Sequence, residues 1–143
     1  MCLSFEALPD RRELPWMQLR DLIMKTILIV DDSTTIRRIL QEALSSEDYI
    51  VLEAKDGHDA LTKLETTIPD AVVSDIHMPD LNGLELVSRI REDERLKALP
   101  VLVLTTEREE EFKQRAREAG ATAWLAKPFD DDLLLTALRR LIG

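Results

Sequence analysis

One cysteine and two histidines in 143 residues put several kinds of chemistry out of reach. Cys2 has no partner with which to form an intrachain disulfide, and it reads as an inert terminal thiol. No cluster of His and Cys offers soft metal ligands. Basic residues are also in deficit, with 19 Lys and Arg against 28 Asp and Glu, for a net charge of -9 and a pI near 4.7. A nucleic-acid backbone selects basic surfaces, so it is excluded as the main ligand. Cations or basic protein patches suit this surface better. Long apolar runs are missing too. None approaches the ~20 residues that a membrane helix needs. Glu6, Asp10, Arg11, Arg12 and Glu13 interrupt any signal-peptide core near the N-terminus. The expectation is a soluble, cytoplasmic protein. There is no repeat and no low-complexity tract. The length suits one domain with its own core.

What is present is an alternation. β-rich runs at residues 26–30, 49–54, 71–74, 101–104 and 123–126 are separated by helical patterns at 33–44, 57–66, 84–91, 108–119 and 130–141. Three of the runs are almost wholly apolar with no in/out alternation, as in strands covered on both faces. The helical segments place apolar residues at helical spacing, as with Ile36, Ile39, Leu40 and Ala43. Gly120 is placed to end the fourth helix and Asp130 to cap the fifth. Five βα units predict an α/β fold, a doubly wound five-stranded parallel sheet with helices on both faces. Residues 1–24 stand apart from this pattern. They are an N-terminal extension, either an appendage packed on the domain or a dispensable upstream start, since Met24 could itself initiate the 25–143 unit.

In open parallel sheets, ligands sit beyond the carboxyl ends of the strands. Strand one ends in Asp31-Asp32, strand three in Asp75, strand four in Thr105 and strand five in Lys127-Pro128. Each alone has a plainer reading. Asp31, Asp32 or Ser33 could cap the first helix, Thr105 could cap the fourth, and Lys127 could be solvated. The conjunction of complementary groups from four strand ends is what points to a site. Two unit charges ~4 Å apart repel by about 4 kcal/mol at an effective dielectric of roughly 20. Three clustered carboxylates must therefore raise their pKa values or hold a cation. An all-oxygen ligand set suits Mg²⁺ or Mn²⁺. Beside such an ion, Asp75 is placed to attack a phosphoryl group and form an acyl phosphate. Lys127 would pair with the carboxylate and then with the phosphoryl group, and Thr105 would donate a hydrogen bond to a phosphoryl oxygen.

At these positions the sequence resembles the CheY-like receiver domains of two-component response regulators. The matching residues are Asp31-Asp32, Asp75, the loop Met78-Pro79-Asp80-Leu81-Asn82-Gly83, Thr105 and Lys127-Pro128-Phe129. The separations, 30 residues from Asp75 to Thr105 and 22 from there to Lys127, fit as well. The resemblance covers about residues 25–143. It implies a flavodoxin-like strand order, 2-1-3-4-5, and phosphorylation of Asp75 by a sensor histidine kinase or a phosphotransfer protein. It implies Mg²⁺ held by Asp32, Asp75 and the backbone carbonyl of His77, with Asp31 acting through water. It implies a cis Lys127–Pro128 bond, and a switch in which Thr105 is drawn inward and the aromatic of strand five, here Trp124, follows. The face formed by helix four, strand five and helix five would then control a downstream protein target. His77 and Glu107 occupy positions that tune the lifetime of the acyl phosphate, while His58 reads as surface. Trp124 and Thr106 depart from the residues more usual at their places in the family, Trp124 being bulkier and Thr106 larger.

Other classes fit less well. A phosphatase of the haloacid dehalogenase type would carry a second Asp where His77 stands. A flavin-binding relative would carry a phosphate cradle after strand one, where Asp31-Asp32 would repel phosphate. A degenerate receiver used only for docking would not need the acceptor, acid pair, Thr and Lys together. The expectation is a stand-alone receiver that is no enzyme beyond its own phosphorylation and dephosphorylation.

Overall fold

The computed structural model describes residues 24–106 and 109–142. The extension before Met24, Glu107, Arg108 and the terminal Gly143 lie outside the described residues. Strands β1 (Thr26–Val30), β2 (Ile50–Ala54), β3 (Ala71–Asp75), β4 (Val101–Thr105) and β5 (Ala123–Ala126) alternate with helices α1 (Thr34–Ser45), α2 (Gly57–Leu64), α3 (Gly83–Glu92), α4 (Glu110–Ala119) and α5 (Asp131–Ile142). A 3₁₀ turn at Glu94–Leu96 follows α3. All pairings are parallel, in the order β2-β1-β3-β4-β5.

The absence of alternation in the central strands has a direct cause. Every residue of β3 and β4 is buried, as are four of the five in β1. Successive side chains point to opposite faces. Ile27, Ile29, Val73, Leu102 and Leu104 therefore meet Leu40 and Leu44 of α1 and Leu134 and Leu138 of α5. Leu28, Val30, Val72, Val101 and Val103 meet Leu64, Leu86, Ile90 and Phe112 on the other face. Each large apolar side chain so buried contributes about 1.5–3 kcal/mol relative to exposure. The edge strands β2 and β5 are only half-buried.

Helix ends follow the capping residues. Ser33, not either aspartate before it, caps α1 by accepting the Ile36 N–H. Asn82 and Glu85 form a reciprocal capping box at the start of α3. Asp130 accepts the Leu133 N–H ahead of α5, and Gly120 closes α4 with a φ of 105°. Thr105 does not cap α4. That helix begins at Glu110, and Glu109, its N-cap residue, makes no side-chain cap bond. Two strands also extend one residue further at their C-terminal ends than expected. Asp75 and Thr105 are the last rungs of their strands rather than the residues after them.

Candidate functional site

The sheet order brings the ends of β1, β3, β4 and β5 side by side, so one rim collects groups from residues 31 to 127. Asp75 pairs with Leu104 in the ladder, and Thr105 with Ala126. Beyond the strands, the Lys127 N–H still donates to the Thr105 carbonyl at 2.8 Å. That bond continues the ladder and sets Lys127 beside Thr105. The Lys127 Nζ reaches Asp75 Oδ1 at 2.9 Å. The Lys127–Pro128 bond is cis.

Carboxylate oxygens of Asp31, Asp32 and Asp75 lie within 4.8 Å of one another. Asp32 is exposed, whereas Asp31 and Asp75 are buried. Asp31 is anchored on three sides. Its N–H donates to the Ala54 carbonyl, its Oδ1 accepts the Ser33 N–H at 2.8 Å, and its carbonyl accepts from Arg37 Nη1 at 2.6 Å. Its Oδ2 is buried with no hydrogen-bond partner. Burial pushes the Asp31 carboxyl above its ordinary value of 3.8. The Ser33 N–H and Lys127 oppose that rise, and the charges of Asp75 and Asp32 add to it. An orphaned, buried oxygen among three carboxylates fits a hard divalent cation, which would supply the missing partner.

The loop after β3 is held close. The Gly83 N–H donates to the Ile76 carbonyl at 2.9 Å, and a Cβ at Gly83 would collide with the Asp75 carbonyl oxygen. Met78 and Leu81, both in this loop, are buried. His77 is exposed, at a cleft of about 290 Å³ with Ile76, Asn82, Leu84 and Phe112. His58 and Thr106 are exposed. Trp124 is half-buried and packs on the core layer beneath α4.

Arg37 escaped the sequence reading as a site residue. It is the nearest base after the acid pair, yet its guanidinium serves the Asp31 carbonyl and Glu53 (3.3 Å) rather than the carboxylates. The contact of Lys113 with the Trp124 ring, 4.5 Å to the centroid, had no sequence signal at all. Ten residues, the loop after α4 among them, separate the two.

Known proteins agree with this geometry. Residues 27–139 match the family model described as the response regulator receiver domain. The chain is 39% identical over 119 residues to chemotaxis protein CheY1 of Helicobacter pylori, covering 82% of this chain and 96% of that one. Among solved structures it resembles chemotaxis protein CheY4 of Vibrio cholerae, with a TM-score of 0.80, 41% identity, and coverage of 82% of this chain and 98% of that one. It also resembles the receiver domain of the sensor histidine kinase PA1611 of Pseudomonas aeruginosa, with a TM-score of 0.78, 30% identity, and coverage of 84% and 98%. That structure has a magnesium ion coordinated in its active-site cleft. With this fold, this acidic rim and this match along most of its length, the chain belongs to the CheY-like response regulator receiver domain family.

Proposed function

We propose that this receiver accepts a phosphoryl group on Asp75 from a histidine kinase or a phosphotransfer protein, and that the phosphorylated form controls a downstream protein. The observation that carries this reading is the Lys127–Asp75 ion pair at the head of a three-carboxylate rim. A carboxylate oxygen of Asp75 attacks phosphorus, the bond from phosphorus to the donor imidazole nitrogen breaks, and the imidazole keeps the electron pair. The Lys127 ammonium, already on Asp75 Oδ1, offsets the negative charge that arrives with the phosphoryl group. The Thr105 hydroxyl, at the buried end of β4, donates to a phosphoryl oxygen. Asp31, Asp32, Asp75 and the His77 carbonyl would hold Mg²⁺ or Mn²⁺, which when bound neutralises the acids and orients phosphoryl oxygens.

Thr105 and Trp124 provide the route outward. Trp124 pairs with Val103, two residues before Thr105, so pleat alternation puts Thr105 and Trp124 on the same face of the sheet. Movement of the hydroxyl toward a phosphoryl group opens space for the indole, and the surface of α4, β5 and α5 repacks for a partner protein. The chemistry is confined to self-phosphorylation and self-dephosphorylation. Incubation with acetyl phosphate and Mg²⁺ should add the mass of one phosphoryl group to the protein and none to Asp75→Asn. A gain that persists in Asp75→Asn would remove Asp75 from this role.

A further inference from the structure

We infer that Lys113 is a latch on Trp124: its ammonium, seated over the indole, holds the ring in its present position and sets how readily the domain switches. The inference rests on the switch reading of Thr105 and Trp124 given above. The Lys113 Nζ lies 4.5 Å from the centroid of the Trp124 ring. A cation at that range over an indole face is attracted by the ring quadrupole, and Trp is the strongest of the aromatic partners. The same ammonium is ion-paired with Glu110 at 3.3 Å, one turn earlier on α4. Glu110 therefore keeps Lys113 charge-paired after the ring departs, and release costs the cation–π contact without leaving an isolated charge. The contact joins the middle of α4 to the edge strand, beside a small pocket of about 140 Å³ that Ala116, Ala121 and Thr122 also line. Any movement of Trp124 toward Thr105 must break it.

A cation–π contact at such a half-exposed site shifts a two-state balance by about two- to five-fold. When the switched state is the minor one, the activator midpoint moves by the same factor. The experiment uses the full chain with Trp16→Phe, which leaves Trp124 as the sole indole. Beryllofluoride with Mg²⁺, a phosphoryl mimic, is titrated while Trp124 emission is followed. The midpoint should fall about two- to five-fold in Lys113→Gln, and Lys113→Arg, which keeps a cation over the ring, should match the parent. A second measurement needs no variant. In the unactivated protein the Lys113 ε-methylene protons should resonate upfield under the indole ring current, and beryllofluoride should release that shift. A parent whose emission ignores beryllofluoride overturns the switch itself and the latch with it. A responsive parent whose midpoint equals that of Lys113→Gln overturns the latch alone. So does a Lys113 ε-methylene signal with no ring-current shift, or one that keeps its shift on activation. The NMR measurement decides the matter even where Lys113→Gln fails to fold.

Discussion

Asp31 Oδ2 is a carboxylate oxygen shut away from water with nothing to bind, a cost borne at very few positions in a stable fold. Its burial, joined by the charges of Asp75 and Asp32, raises the pKa of Asp31 above 3.8 despite the Ser33 N–H and Lys127. The metal-free folded state thus holds this proton more tightly than the unfolded chain does. Between the unfolded value and the raised folded one, the folded state binds more protons, so this group's contribution to stability falls as pH rises through that window. Below the unfolded value the penalty is absent, and above the folded value it stands in full. Asp31→Asn removes the charge at nearly constant shape. In EDTA, the stability of Asp31→Asn relative to the parent should improve as pH climbs from below 3.8 to neutrality. Urea unfolding at a series of pH values measures this, and a difference that is flat with pH would contradict it.

At the level of elements, the start of α3 shows a local preference overruled by a neighbour. Alanine is favoured over glycine inside a helix by about 1 kcal/mol. Gly83 nonetheless opens α3 pressed against the end of β3, where a Cβ would strike the Asp75 carbonyl oxygen and lie 2.8 Å from Ile76 Cα. Both obstacles are backbone, and the capping box of Asn82 and Glu85 holds the helix start in place. Gly83→Ala should therefore cost about 1–3 kcal/mol, as overpacking does, and should slow acetyl-phosphate labelling by displacing the Asp75 backbone. Gly57 is the control. The nearest atoms to a Cβ there belong to the Leu81 side chain rather than to backbone, and none lies as near as the Asp75 carbonyl oxygen does at Gly83, so Gly57→Ala should cost less. Chemical denaturation of the two variants side by side tests the contrast. A Gly83→Ala protein as stable as the parent would show that the approach of α3 to β3 is not limiting.

For the whole molecule, charge on one rim couples ligand binding to folding. The three acids come from β1 and β3, whose positions exist only in the folded state. A cation bound there stabilises the fold by about 2.7 kcal/mol at ~100 times its dissociation constant. Mg²⁺ should accordingly raise the melting temperature. Asp32→Ala should diminish the rise, and because Asp32 is exposed, the substitution removes a proposed ligand without opening a core cavity. Equal shifts in parent and variant, measured by differential scanning calorimetry, would place the ion elsewhere. Among the described residues, no helix is long and apolar enough to cross a membrane.

Sequence by itself determined the five βα units, because burial on both faces demands uninterrupted apolar strands and helical stripes, and both are written locally. It also determined which side chains meet at the rim, since every parallel strand delivers its last residue to the same edge. Asp31-Asp32, Asp75, Thr105 and Lys127 were legible for that reason, and the strand order was legible only through resemblance to a family. Tertiary structure alone decided that Asp31 is sealed, its backbone bonded to Ala54 of β2 and to Arg37 of α1, while its neighbour Asp32 is open. It alone turned Arg37 to the Asp31 carbonyl and to Glu53 rather than to the carboxylates of the rim. It alone set Lys113 over Trp124, for the angle at which α4 lies on β5 is fixed by the packing of Phe112 and Ala116 in the core and by no local pattern in the chain.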